Sequence, residues 1–151
     1  MTSHDIDWRR HLIDDDDELA RVIAETRRIA VLGIKIDPEK PAHYVPEYAQ
    51  RAGFEIVPVP VYYPEATEIL GEKVYRKVAD VPGDVDMVNV FRRPHDVAAH
   101  VDDIIAKKPK TVWMQLGISD DASAERLARA GIDVVQDRCL MVELRHHHKR
   151  R

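Results

Sequence analysis

Short apolar runs alternate along the chain with longer segments in which apolar residues recur at every third or fourth position. A short apolar run that ends in Gly or Pro is typical of a buried parallel strand, whereas the longer spacing is typical of a helix with one buried face. The pattern predicts strands at residues 28–33, 54–59, 86–91, 111–116 and 132–136. Pro58 and Pro60 are expected to end the second strand, since proline donates no backbone hydrogen bond.

The segments between these strands have the spacing of helices. They predict helices at residues 15–26, 44–52, 94–107 and 121–130, a short helical turn within 74–81, and a short helix or tail over 142–148. Residues 62–71 are expected to be irregular. The alternation of strands and helices predicts an α/β, Rossmann-like fold, in which a five-stranded parallel sheet lies between helices on both faces in three αβα layers.

The length of 151 residues suits one ordinary domain. We expect residues 1–151 to form that domain, with a helical extension at residues 1–27 and a tail at residues 144–151. Apolar residues make up 44% of the chain and charged residues 33%, so the composition predicts a globular protein rather than a disordered one.

Charge and cysteine content disfavour several classes of protein. The chain has 23 basic and 27 acidic residues, and this net charge of −4 disfavours binding along a nucleic-acid backbone. The single cysteine, Cys139, excludes an internal disulfide and fits a reducing compartment. No apolar run approaches the ~20 residues that span a membrane, and residues 1–13 lack the apolar core of a signal peptide. We therefore expect a cytoplasmic protein, as a monomer or a homodimer.

Basic residues gather where the predicted strands end. Ligands of such sheets bind beyond the carboxyl ends of the strands, near the point where the strand order reverses. Lys35, Lys40, Arg92, Arg93 and Arg138 all fall at this edge, which predicts an anionic ligand. The helix that starts near Tyr44 would add free backbone N–H groups, and Phe91 or Pro94 would pack on a base.

The first loop departs from the usual dinucleotide-binding pattern. After Gly33 the loop continues Ile-Lys-Ile-Asp-Pro, so the second and third glycines of G-x-G-x-x-G are missing. Val59 and Pro60 stand where an acidic residue would bind the 2′-hydroxyl of the ribose. These two departures disfavour NAD(H), whereas a ligand with an additional phosphate on its ribose remains compatible.

Four segments carry a resemblance over residues 28–143. They are Ile29-Ala-Val-Leu-Gly33 with the loop Asp37-Pro-Glu-Lys-Pro-Ala-His-Tyr-Val-Pro46, then Ile69-Leu-Gly-Glu-Lys-Val-Tyr75, Val90-Phe-Arg-Arg-Pro94, and Val135-Gln-Asp-Arg-Cys-Leu-Met-Val-Glu143. In this order and spacing the chain resembles the CoA-binding domain family, the small proteins similar to the N-terminal domain of succinyl-CoA synthetase alpha subunits.

The resemblance implies a Rossmann-like fold with coenzyme A lying across the strand ends. The loop from Gly33 to Tyr44 would hold the phosphates, Val59 and Pro60 would border the ribose and adenine, Phe91 and Arg92 would flank the adenosine, and Gln115 and Gly117 would line the pantetheine side. The expected binding residues are Gly33, Ile34, Lys35, Lys40, His43, Tyr44, Val59, Pro60, Phe91, Arg92, Arg93, Gln115 and Gly117.

This chain differs from many of those relatives at two positions. They have Asn-Pro at the end of the second strand and a Ser or Thr soon after the first glycine, where this chain has Val59-Pro60 and Ile34-Lys35. An Asn contact to the ribose and a hydroxyl contact to a phosphate are therefore lost, and Lys35 is the residue that would compensate.

The expected role is regulatory or carrier binding of CoA or a short acyl-CoA, without catalysis. The related synthetases phosphorylate a histidine in a second domain that this sequence lacks, and the sequence alone yields no set of nucleophile, base and orienting residue. No metal site is expected, because His95 and His100 are five residues apart and His146–His148 resemble a basic tail. Both His95 and His100 are expected at the surface. Cys139 is expected to be a packed thiol rather than a mixed-disulfide partner of CoA.

Two other functions stay open on the sequence alone. One is an NAD(P)-dependent oxidoreductase or redox sensor, which the missing glycines disfavour. The other is a scaffold that has no ligand and acts through protein contacts.

Overall fold

The computed structural model describes residues 7–148. A five-stranded sheet forms its centre, and all the strands run parallel. The strands, in chain order, are β1 (Arg28–Leu32), β2 (Glu55–Val59), the short pair β3 (Glu68–Ile69) and β4 (Glu72–Lys73), β5 (Met87–Val90), β6 (Thr111–Met114) and β7 (Asp133–Val135). The order across the sheet is β2-β1-β5-β6-β7, so the direction of winding reverses between β1 and β5.

Helices cover both faces of the sheet. Within residues 7–148 they are α1 (Asp16–Ala24), α2 (Pro41–Arg51), α3 (Val101–Lys107), α4 (Asp121–Arg129) and α5 (Leu140–His147), with 3₁₀ turns at Trp8–His11, Val78–Asp80 and Pro94–His100. The three-layer Rossmann-like fold predicted from the alternation is confirmed. Helix α2 begins three residues earlier than predicted, because Pro41 occupies the first helical position, where its missing N–H has no cost.

Two apolar cores lie on opposite faces of the sheet, because successive strand residues point to opposite sides. On one face Leu32 and Val90 pack with Ile104 of α3 and Leu127 of α4. On the other face Val31 and Trp113 pack with the apolar sides of α1, α2 and α5. The strands are therefore buried on both sides, as their nearly continuous apolar sequences require.

Three local predictions need correction. Pro58 does not end β2 but pairs with Val31 inside it, which is tolerated because β2 is an edge strand with a single sheet neighbour. Residues 62–71, expected to be irregular, include β3, which pairs with β4 around Leu70 and Gly71, both with positive φ. A leucine with positive φ is rare, so Leu70-Gly71 does not match the usual sequences of two-residue hairpin turns, and this hairpin was not predicted. The helix predicted over 94–107 is a 3₁₀ segment followed by α3.

The N-terminal segment adds to the sheet beyond β7, which the sequence pattern did not predict. Leu12 forms a parallel bridge with Val134, and the N–H of Ile13 donates to the Val134 oxygen at 2.9 Å. The expected tail is mostly helical, since α5 continues to His147, and residues 149–151 of the tail prediction lie outside the described range, as do residues 1–6 of the N-terminal prediction. None of the helices in residues 7–148 has both the length and the apolar character needed to cross a bilayer.

Candidate functional site

A glycine allows the backbones at the ends of β1 and β5 to approach closely, and this pair of strand ends borders a crevice. Gly33 follows β1 with φ +86°, and a Cβ atom at this position would lie 2.3 Å from the backbone oxygen of Phe91. Only glycine combines this conformation with so close an approach of two backbones. The loop therefore leaves β1 directly alongside the end of β5, at the point where the strand order reverses.

Two neighbouring cavities of about 340 and 260 Å³ open at this edge. The larger of the two is lined by Lys35, Lys40, Pro41, Ala42, Phe91, Arg92, Arg93, Pro94, Gln115, Leu116, Gly117 and Ile118, and the smaller by Gly33, Lys35, Tyr62, Phe91, Arg92 and Arg93. Lys35, Phe91, Arg92 and Arg93 line both. The structure thus brings together eight of the expected residues: Gly33, Lys35, Lys40, Phe91, Arg92, Arg93, Gln115 and Gly117.

The other expected residues do not line these two cavities. Ile34 and Val59 are 1% and 0% exposed and belong to the apolar cores. The Nδ1 atom of His43 lies 2.8 Å from the backbone oxygen of Lys35, so this imidazole holds the loop against α2. Tyr44 is exposed on α2. Pro60 lines a separate cavity of about 700 Å³, next to Val61, Leu32 and His100.

The four cations of the crevice differ in their ion pairing. Arg93 donates to Asp96 at 3.2 Å, and Arg92 lies 3.6 Å from the same carboxylate. Desolvation acts to raise the pKa of the Asp96 carboxyl, but the Arg93 hydrogen bond and the neighbouring positive charges lower this pKa below its ordinary value. Within residues 7–148, Lys35 and Lys40 have no carboxylate partner, so their charges are available to a ligand.

Arg138 is the exception among the predicted cations. Its guanidinium donates to Asp14 at 2.8 Å and lies 3.7 Å from Glu143, so it joins the N-terminal segment to α5 and does not line the crevice. Its position after β7 places the backbone of Arg138 at the ligand-binding edge of the sheet. Its side chain points instead toward Asp14, which is far away in the sequence, and Glu143.

His100 was expected at the surface and is instead half-buried beside Arg92. The Nε–H of Arg92 donates to Nε2 of His100 at 3.2 Å. Burial, together with the charge of Arg92, lowers the pKa of His100 below its ordinary value. His95 has an exposed side chain, as expected, and lies 3.6 Å from Asp96.

Gln115 presents an amide to the larger of the two crevice cavities. The residue is 4% exposed, and its Oε1 atom accepts from the N–H of Leu140 at 3.2 Å and from Nδ2 of Asn89 at 3.4 Å. Its Nε2 atom has no acceptor within residues 7–148. Asn89 has a buried Oδ1 atom that is likewise without a partner in that range. The Nε2 donor of Gln115 is accessible from the cavity and is therefore available to a polar ligand atom.

The first turn of α2 also faces this cavity. Lys40 is the N-cap, and no side chain caps the helix there. Pro41 and Ala42, the first helical residues, are part of the lining. Fewer backbone N–H groups are free here than expected, because Pro41 has none and those of Lys40, His43 and Tyr44 donate to backbone oxygens. The start of this 11-residue helix adds the N–H of Ala42 and a positive dipole end to the same edge.

Tyr62 and Arg76 are site residues that the sequence did not reveal. Arg76 donates to the backbone oxygens of Tyr62, Tyr63 and Ala66 at 3.0, 2.6 and 2.9 Å, which fixes the loop after β2. The ring of Tyr62 then lies 5.9 Å from the guanidinium carbon of Arg92. No local pattern marks either residue, because both contacts join segments that the sequence separates.

Residues 27–145 match the family model described as CoA binding domain. The chain belongs to the CoA binding domain family. The resemblance predicted from its four segments is confirmed. The chain is 30% identical over 125 residues to the uncharacterized protein YneT of Bacillus subtilis (strain 168), a match that covers 83% of this chain and 90% of YneT.

Solved structures share the fold of this chain. Cell-free ID.343 from Thermus thermophilus is 38% identical, with a TM-score of 0.82 over 89% of this chain and 99% of that one. The dinucleotide-forming acetyl-coenzyme A synthetase 1 of Ca. Korarchaeum cryptofilum, in complex with phosphate and ADP, has a TM-score of 0.62 at 24% identity, over 74% of this chain and 26% of the synthetase. At that identity the second comparison shows the shared fold alone.

Proposed function

We propose that this CoA binding domain protein binds coenzyme A or a short acyl-CoA across the crevice between β1 and β5, in a regulatory or carrier role without catalysis of its own. The observation that carries the proposal is the convergence of four cations, Lys35, Lys40, Arg92 and Arg93, on two adjoining cavities. In a protein of net charge −4, so many cations at one sheet edge favour a polyanionic ligand.

The phosphates are assigned to the loop after β1 and the start of α2. Lys35 and Lys40 supply charges that have no acidic partner within residues 7–148, and the first turn of α2 supplies the N–H of Ala42 and a positive dipole end. Arg92 and Arg93 line the same cavities as Lys35, and a guanidinium can bind a phosphate through two hydrogen bonds. We assign the 3′-phosphate of CoA to Arg92, which distinguishes CoA from its dephosphorylated form.

The adenosine is assigned to the side of the crevice nearest β2. The cavity of about 700 Å³ begins there, with Pro60, Val61 and Leu32 as an apolar wall and His100 near Arg92. Its volume lies in the range of small-molecule sites. Tyr62 offers an exposed aromatic ring close to Arg92, on which a base can stack.

The pantetheine arm is assigned to the β6 side. Gln115 presents its free amide donor there, and Leu116 and Ile118 add apolar surface. Leu116 is 65% exposed, which is unusual for a leucine and leaves it free to cover an extended aliphatic arm. The alternation of amides and methylenes in pantetheine matches an amide donor that lines the same cavity as these apolar side chains.

We infer that the protein has no catalytic activity of its own from the residues that line the three cavities. None of the residues lining the three cavities is a serine, threonine or cysteine, so the aliphatic hydroxyl and the thiol that commonly act as nucleophiles are lacking there. Cys139 lies at the N-cap of α5 and packs against the core on that face. These positions favour binding rather than acyl transfer.

Calorimetry with CoA, dephospho-CoA and NADH tests the proposal on the whole chain. CoA should bind about 10- to 150-fold more tightly than dephospho-CoA, the equivalent of one charged hydrogen bond of ~1.5–3 kcal/mol. Equal affinities would remove the 3′-phosphate assignment. Tighter binding of NADH would favour the oxidoreductase alternative, and no binding of any of the three would favour the scaffold. Mass spectrometry of the ligand released from freshly purified protein identifies the acyl group.

A further inference from the structure

Two sequence features that the crevice does not use meet where α1 packs against α5. One is the run of five acids at residues 14–18, and the other is the histidine run His146–His148. Asp16 is the first residue of α1, and Glu143 and His147 lie four residues apart on α5, hence on one helix face. One ligand atom from each of Asp16, Glu143 and His147 lies within 4.8 Å of the other two.

We propose that Asp16, Glu143 and His147 form a binding site for a divalent transition-metal ion of the Zn²⁺ class. Imidazole nitrogen with carboxylate oxygen is a ligand set that zinc and its neighbours accept, and two carboxylates balance the charge of the ion. Ligand atoms around a tetrahedral zinc ion with bonds of ~2.0–2.2 Å lie roughly 3.5 Å apart. Nε2 of His147 is already 3.6 Å from Oε1 of Glu143.

The surroundings favour an ordered site. The side chains of Glu143 and His147 are only 12% and 16% exposed, whereas Asp16 is exposed and free to turn inward. Arg138 lies 3.7 Å from Oε2 of Glu143, the oxygen that does not face His147. Arg138 therefore orients the Glu143 carboxylate through Oε2 and leaves Oε1 available to the ion. Residues that contact metal ligands without binding the metal commonly orient the ligands in this way.

The bound ion would connect the first and last helices of the described chain. Helix α1 supplies one ligand and α5 supplies two, and both helices pack on the same face of the sheet. With three protein ligands, a tetrahedral ion has one coordination position left for water. The site is separate from the proposed CoA site, because neither crevice cavity is lined by these three residues. The expected effect is structural, and it does not depend on whether CoA binds.

The test uses the full chain after removal of metal with EDTA. Zn²⁺ should bind with a stoichiometry of one by calorimetry, and Co²⁺ should give the visible absorption of a low-symmetry N/O site. At a hundredfold excess over its Kd, Zn²⁺ should raise the unfolding midpoint by about 5–10 °C. His147→Gln should weaken Zn²⁺ binding by about 10-fold or more, at least the effect of losing an outer partner. Asp16→Asn should also weaken it.

His146→Gln is the matched control, because His146 is the exposed neighbour in the same run. It should leave affinity and midpoint shift unchanged. Equal losses in His146→Gln and His147→Gln would mean that the histidine run binds metal as a tail, which overturns the site. Absence of saturable binding, or retention of full affinity in His147→Gln, would overturn it as well. Circular dichroism in EDTA establishes that each variant is folded.

Discussion

The Nε–H of Arg92 donates a hydrogen bond to Nε2 of His100 over 3.2 Å. The imidazole can accept only with that nitrogen unprotonated, so the pair is intact when His100 is neutral. Burial and the adjacent guanidinium charge lower the pKa of His100, and both act against its protonation. A histidine thus positions the arginine to which we assign the 3′-phosphate.

The first prediction concerns pH. Because the pKa of His100 in the folded protein lies below its unfolded value of ~6.5, the unfolded state binds the proton more readily. The contribution of His100 to stability is therefore fully present above about pH 6.5 and is lost as the pH falls toward the lowered pKa. Asp103 and Asp96 oppose this loss through their charges. Urea denaturation at pH 7.5 and 5.0 should show a smaller acid destabilisation in His100→Gln than in the wild type.

His95→Gln serves as the control for that experiment, since its side chain is 71% exposed. It should follow the wild-type pH dependence. An equal loss of stability on acidification in the wild type and in His100→Gln would show that protonation of His100 does not contribute to the acid destabilisation.

The second prediction concerns Arg92. Arg92→Ala should lower the affinity for CoA by about 1.5–3 kcal/mol, with a smaller effect on dephospho-CoA, because one charged hydrogen bond to the 3′-phosphate is lost. Arg51→Ala removes the same charge at the far end of α2, from a side chain that is 75% exposed, and should leave both affinities unchanged. Calorimetry with the two ligands measures the difference. A uniform loss for both ligands would place Arg92 on the pyrophosphate instead.

The third prediction separates conformational strain from close packing. Gly33 and Gly131 have φ of +86° and +84°, but a Cβ on Gly131 meets no atom within 4 Å. Gly131→Ala should therefore cost only the left-handed conformation, about 1–2 kcal/mol. Gly33→Ala should cost about 1–3 kcal/mol more, since β5 must move away from the added methyl group. Urea denaturation measures both, and equal costs would show that the approach to Phe91 relaxes freely.

The fourth prediction concerns Gln115. Gln115→Glu keeps an acceptor for Leu140 but replaces the free amide donor with a carboxylate oxygen. It should weaken both CoA and dephospho-CoA by about 1–3 kcal/mol, because the assigned contact is to pantetheine, with a somewhat larger loss for CoA because the new carboxylate repels its additional phosphate. Pantetheine alone, measured in a competition assay, should also bind more weakly, since it loses the same hydrogen bond. An effect confined to CoA would argue against this assignment, and the unfolding midpoint checks that the variant is folded.

Parts of the fold and of the site follow from local pattern. The apolar run before Gly33 had to be a buried strand, and the Phe91-Arg92-Arg93 segment had to leave the end of another. Because parallel strands end at one edge, sequence alone brings Lys35 and Arg92 to the same edge of the sheet. In the structure the two residues line the same two cavities.

Sequence by itself thus determined the layers, the edge of the sheet that gathers the cations, and the family. Tertiary structure alone decided which side chains face the crevice: it turned Arg138 toward Asp14, buried Ile34, and set His100 against Arg92. The physical reason is the distance along the sequence over which the interactions act. Strand and helix periodicity depends on neighbours within a few positions, whereas the direction of a side chain depends on partners such as Asp14, 124 residues from Arg138.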